Sequence, residues 1–272
     1  MRGLNKFKNT VRPILSTICL ELKLQKLKFI IFSSISIVLF ILTGVIPYIS
    51  SPFFSIPSDQ ATYLYNSTSF YVFIVILSIG IFFSSLICSE YQRKTGLTTF
   101  PLINKTKLII GKYIANYILV IGIAVIYFSF MGIFSYYFYG GPILYTIFIS
   151  FSFLALYLLA LASFTTFFSS FMRSTLPVFA IITGYLLLGG LVLDPVLRSL
   201  GANLEPLYSL SYLYYIVQYT LYPNFSSIER FDEFGIGNIW MFPSAEGAII
   251  MLTIYAIVFF LLAYLIFRRR QL

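Results

Sequence analysis

Tyr113–Phe138 reads YIANYILVIGIAVIYFSFMGIFSYYF, a run without a single Asp, Glu, Lys or Arg. About 20 helical residues cross a hydrocarbon core about 30 Å thick, so this run is long enough to span one. Inside lipid, only helices and closed barrels satisfy their own backbone hydrogen bonds. The apolar residues here are continuous rather than alternating, which predicts a helix. Five further runs of the same kind lie at about Phe29–Ile49, Phe70–Cys88, Leu144–Ser169, Leu176–Leu193 and Gly247–Phe267. Only 10% of the residues are charged, against about a quarter in soluble domains, too few to cover a water-facing surface. The expected fold is an all-α integral membrane protein, a bundle of six transmembrane helices.

Leu207–Tyr222 is a further apolar stretch, but it is short, contains Gln218 and carries Tyr208, Tyr212, Tyr214, Tyr215, Tyr219 and Tyr222. Tyrosine favours the headgroup level, where its ring is half dry and its hydroxyl wet. The stretch therefore reads as short interfacial helices or a re-entrant segment rather than a span. Charge supports that choice. With six spans and the N-terminus inside, sixteen Lys and Arg face the cytoplasm, and only Arg198 and Arg230 lie outside. A seventh span would move Arg268–Arg270 to the outer face, against the positive-inside rule. The net charge of +9 thus reflects membrane flanks that meet anionic lipid, not a nucleic-acid surface. A plasma-membrane protein with both termini cytoplasmic is expected.

Residues 1–28 form a basic lead-in. Within it Ile14, Leu15, Ile18, Cys19 and Leu22 share one helical face opposite Ser16, Thr17 and Glu21, the pattern of an amphipathic helix lying in the membrane surface. Such a long basic region with no small-residue cleavage site after it is unlike a secretory signal. Residues 29–272 then make a single transmembrane domain, with no internal repeat. Ser50–Ser69, with Pro52, Pro57 and Asp59, reads as an external connection, Gly140-Gly141-Pro142 as a tight outer turn, and 194–246 as the largest outer segment. Asn66-Ser67-Thr68 and Asn224-Phe225-Ser226 place candidate glycosylation acceptors, Asn66 and Asn224, on outer segments. Cys19 and Cys88 fall inside, where reduced structural thiols are the default.

The segment between the second and third spans, residues 89–112, reads SEYQRKTGLTTFPLINKTKLIIGK. It is too brief to span and is tethered at both ends by helices, which suits docking into a groove on a cytoplasmic partner. Here the chain resembles the permease subunits of type-2 ABC transporters. The residues that carry the likeness are Glu90, Thr95, Gly96, Phe100, Pro101, Gly111, Lys112 and Tyr113, with Arg93 and Lys94 in the basic part of the run. Family members commonly have a Glu, a Gly-Thr or Thr-Gly pair, a Pro-containing basic stretch and a Gly-Lys entering the third helix. This sequence carries Thr-Gly rather than the commoner Glu-x-x-x-Gly-Thr. The resemblance implies a permease that dimerises with a second copy or a paralogue and binds two separate ATPase subunits. Glu90–Leu102 would be the coupling helix, with Arg93 in it and Gly111 and Lys112 beyond it.

Each of these residues also has a plainer reading. Glu90 could be a solvated residue at a helix end, Gly96 a turn glycine, and Lys105, Lys107 and Lys112 basic on positive-inside grounds alone. Gly111-Lys112 is no phosphate loop, because Thr106 and Tyr113 stand where that motif needs Gly and Ser or Thr. Without a P-loop, ATP and its magnesium belong to the partner, and this chain is expected to bind no cofactor and to catalyse nothing. The absence of histidine removes Ser-His triads and zinc-protease motifs. Ion-coupled carriers usually place charge in mid-membrane, whereas the six cores have none. Ser84, Ser85, Ser163, Thr165, Thr166 and Gly184 are expected to permit close helix packing. The expected function is the permease of an ABC exporter; the alternatives are a membrane anchoring or assembly protein, or a secondary carrier.

Overall fold

The computed structural model describes residues 2–50, 56–92, 104–189, 205–225, 230–234 and 237–270. Among the described residues the regular structure is helical apart from one short β-ribbon. Helix α1 (Arg2–Leu24) runs into α2 (Lys26–Phe40), which passes through a π-turn at Ile41–Val45 into α3 (Ile46–Ser50). There follow α4 (Gln60–Ser69), α5 (Tyr71–Gln92), α6 (Lys105–Tyr139), α7 (Thr146–Phe171) and α8 (Thr175–Leu188). Two short helices, α9 (Leu210–Leu213) and α10 (Tyr215–Tyr219), precede the antiparallel strands β1 (Phe231–Phe234) and β2 (Gly237–Trp240), paired Phe231 to Trp240. The last element is α11 (Ala245–Arg269).

Five helices among the described residues are long and apolar enough to cross a membrane: Lys26–Ile49, Tyr71–Gln92, Lys105–Tyr139, Thr146–Phe171 and Ala245–Arg269. The sequence expectation of a span over 176–193 falls on α8. Its 14 residues extend about 21 Å, short of a full crossing, and residues 190–193 lie outside the described part. The outer faces of these helices remain apolar. Along α11 alone, Ile250, Ile257 and Leu261 are more than half exposed. A stripe of that kind facing outward is the surface of a helix in lipid.

Helix ends follow local chemistry. The Asn104 side chain accepts from Thr106 N–H at 3.1 Å and so caps α6. At its other end Gly140 adopts φ 61°, and its N–H closes on the Tyr136 carbonyl at 2.8 Å, the left-handed stop that favours glycine. The Gly140-Gly141-Pro142 turn thus sits where the sequence places it. The π-turn in the first span leaves the Gly44 carbonyl to accept from Tyr63 Oη at 3.0 Å. Tyr63 belongs to α4, so the expected external connection at Ser50–Ser69 contains a helix whose inner side is buried against the bundle. Gln60 Nε2 ties the same helix to Ser135 Oγ of α6 at 2.7 Å.

Helix α7 occupies the centre, packed most extensively on α11 and next on α5. Small hydroxyls do hold helices together here. Ser169 Oγ accepts from the N–H groups of Ile87 and Cys88 at 3.1 and 3.2 Å and donates to the Ser84 carbonyl at 2.8 Å. Ser163 Oγ pairs with Tyr113 Oη at 2.8 Å. Thr165 and Thr166 instead turn back on the carbonyls of Leu161 and Ala162, a habit of buried helix threonines. Among the described residues, a Cβ at Gly184 would meet no atom within 4 Å.

Much of the tyrosine-rich stretch is buried against the bundle. Near its start Glu205 accepts from Ser244 N–H at 2.6 Å, at the head of α11. The Tyr208 carbonyl then accepts from Tyr255 Oη at 2.5 Å, ten residues or about 15 Å down that helix. Tyr214 packs on Tyr157, near the middle of α7, with ring centroids 5.4 Å apart. The Val217 and Leu221 carbonyls return to the head of α7, accepting from Ser150 Oγ at 2.5 Å and Thr146 Oγ1 at 2.9 Å. The segment enters along α11 and leaves along α7, a re-entrant path. Broken backbone at such depth is tolerated because protein surrounds it: Leu213, Ile216 and Val217 are fully buried.

Candidate functional site

At the basic end of the bundle, three helices share a buried charged cluster. Lys112, two turns into α6, places Nζ 3.1 Å from Glu21 Oε1 of α1 and in direct contact with Glu90 Oε1 of α5. Glu90 is only 5% exposed, so the solvated helix-end reading does not hold for it. Removing charges from water costs several kcal/mol per ion unless each is paired, and one ammonium here serves two carboxylates.

The cluster continues into the bundle through neutral amides. Gln25 Nε2 lies 3.5 Å from Glu21 Oε2 and donates to Asn116 Oδ1 at 3.0 Å, and Asn116 Nδ2 donates to the Phe82 carbonyl at 3.0 Å. Glu21 and Gln25 are four residues apart, as are Lys112 and Asn116. Residues so spaced share a helix face, so two matched polar pairs meet across the contact of α1 with α6.

Gly111 explains how the helices come this close. A Cβ at that position would lie 2.8 Å from Thr17 Cβ and 3.2 Å from the Ile14 carbonyl oxygen. Only a residue without a side chain lets α1 lie flat on α6, and that approach brings Glu21 opposite Lys112. The Gly-Lys pair therefore has a joint role, with glycine setting the distance and lysine filling it with charge.

A second set of contacts locks the same end. Arg270, just beyond α11, donates from Nη1 to the carbonyls of Ser170 and Met172 at 2.7 and 3.0 Å. Its guanidinium lies 4.0 Å from the Tyr91 ring centroid, in cation–π range. Lys105 Nζ donates to the Arg270 carbonyl at 2.9 Å, and Thr106 Oγ1 meets Tyr264 Oη at 3.3 Å. The ends of α5, α7 and α11 and the start of α6 are thereby joined, with a cation on the unsatisfied carbonyls that close α7.

Of the residues singled out from sequence, the structure brings Glu90, Gly111 and Lys112 together. Arg93, Thr95, Gly96, Phe100 and Pro101 lie outside the described residues. The segment that holds them leaves from Gln92 and returns at Asn104, between the two helices that the Glu90–Lys112 pair ties. Glu21, Gln25 and Asn116 are site residues that the sequence reading did not select. Their signal was present: Thr17, Glu21 and Gln25 recur every fourth position, and Asn116 is a lone amide in an apolar run. All four are buried, so α1 turns its polar face inward and leaves Leu15 and Leu20, each 58% exposed, outside. Asn66 and Asn224 are both exposed, one on α4 and one in the turn after α10. Thr68 of the first sequon is buried, its hydroxyl donating to the Leu64 carbonyl at 2.7 Å.

The chain matches no known protein family by sequence, and no curated protein aligns with it significantly.

Proposed function

We propose that the chain is the permease subunit of an ABC exporter, a six-span protein of the plasma membrane with cytoplasmic termini. It works as a dimer whose transport is driven by ATP hydrolysed on separate partner subunits. The observation that carries this reading is the Glu90–Lys112–Glu21 cluster at the two roots of the 93–103 segment. A partner that pushes on that segment moves α5 and α6 together, and through Glu21 it moves α1 as well. A helix bundle with two packings can then be biased by the nucleotide state of a distant subunit.

The test is partner dependence. The tagged protein, purified from native membranes in mild detergent, is expected to bring down an ATPase subunit. Replacing Gly96–Pro101 should release that subunit, while Glu90→Gln should keep it bound but uncouple hydrolysis from transport. A stable complex with no ATPase would sink the permease reading and favour an anchoring or assembly role.

A further inference from the structure

The re-entrant segment walls a half-open cavity of about 340 Å³ in the bundle, bounded also by α4, α5, α7 and α8. We propose that this cavity binds an uncharged amphiphile, a largely apolar molecule with a single hydrogen-bonding head such as a long-chain alcohol. As the class of cargo, this rests on the permease reading; as a binding site, it stands on the geometry alone.

Ser211, Tyr214, Tyr215 and Gln218 of the segment line the cavity. Their spacing of three, four and seven residues places them on one helical face. Val72 and Ile76 of α5 and Leu186 of α8 are among the apolar residues that complete the walls. Volume and lining resemble those of small-molecule sites, which are mostly apolar with few placed polar groups.

One polar group awaits a partner. The Ser211 hydroxyl is buried, the residue 9% exposed, and it makes no hydrogen bond among the described residues. The Gln218 side chain, on a residue 6% exposed, also lines the cavity. Buried polar groups left unbonded are costly and rare, whereas a hydroxyl or carbonyl on a bound molecule would satisfy the Ser211 hydroxyl. No described lining residue is ionisable to a cation or carboxylate. A charged head entering here would lose its hydration with nothing to replace it, which selects a neutral one.

The test uses the full chain in phosphatidylcholine nanodiscs and dodecanol carrying an alkyl diazirine. After photolysis, adducts are mapped by mass spectrometry. Saturable labelling on residues 211–218 or Tyr157 is expected, falling at least tenfold in Val72→Phe and in Leu186→Phe, which fill the cavity from separate walls. Thermal unfolding identifies whichever variant remains folded. Gln218→Leu should weaken labelling severalfold, and unlabelled dodecanoate should compete at least tenfold less well than dodecanol. Labelling that never saturates and spreads over the outer face of α11 would overturn the site, and equal competition by dodecanoate would overturn the neutral class. Labelling requires no ATPase, so the two readings fail separately. An ATPase that co-purifies with a chain showing no saturable adducts removes the cargo class alone. Saturable adducts on a chain without an ATPase support the site and remove only the permease reading.

Discussion

At the basic end of the bundle, Lys112 draws two carboxylates from two other helices into one contact. At the opposite end, beyond the Glu205–Arg230 ion pair near its start, the re-entrant segment is held by neutral bonds, the hydroxyls of Thr146, Ser150 and Tyr255 each donating to one of its carbonyls. Both regions bury polar groups in an apolar setting, but the consequences of losing one differ. A charge deprived of its partner is stranded in low dielectric, and the penalty is large. A lost hydroxyl donor leaves a carbonyl with a second lone pair and neighbours that can adjust, and interhelical bonds of this kind average about 0.6 kcal/mol in membranes. The first region specifies one arrangement of helices; the second can yield.

Four substitutions would break or sharpen that contrast. Lys112→Ala strands Glu21 and Glu90 beside each other and should cost about 3–5 kcal/mol, read as a loss of thermal stability of the purified protein; a change as small as that of an exposed lysine would show the cluster to be incidental. Gly111→Ala forces a Cβ against Thr17, with an expected cost of about 1–3 kcal/mol from overpacking. Combining it with Thr17→Gly should lose less than the two single changes added together, and strict additivity would argue against the close approach. Asn116→Leu cuts the link from Gln25 to the Phe82 carbonyl and should cost about 1–2 kcal/mol, with proteolysis of α1 quickened as its anchoring loosens. At the neutral end Thr146→Val should cost only about 0.6 kcal/mol. A penalty there as large as that of Lys112→Ala would erase the distinction between the two ends.

The long helices were legible in sequence because apolar runs report crossings of hydrocarbon directly. The expected 70–88, 144–169 and 247–267 became Tyr71–Gln92, Thr146–Phe171 and Ala245–Arg269. The third span was expected to start at Tyr113, yet the helix begins at Lys105, because Asn104 caps it and a helix can continue past the lipid where hydropathy falls. Helix α4 escaped notice for a related reason. Pro52 and Pro57 signal a loop, and Asn66, Ser67 and Thr68 look wet, but the buried face of α4 is set by contacts with Gly44 and with Tyr127, whose hydroxyl bonds the Ser67 carbonyl. Glu90, Gly111 and Lys112 stood out through a motif. Glu21 and Gln25 did not, since a helix with one polar and one apolar face reads the same whether water or another helix takes the polar side. Only the partner, Asn116 with Lys112, decides between them.

Helix α7 touches both ends. Thr146, Ser150 and Tyr157 meet the re-entrant segment, while Ser169 grips α5, and Ser170 and Met172 are held by Arg270. Its 26 residues contain neither glycine nor proline, the usual sites at which a helix kinks. It behaves as a connecting rod about 39 Å long. A rod without a hinge cannot absorb a displacement along its length, so a tilt imposed through Arg270 at one tip must be returned at the other, where the walls of the cavity stand.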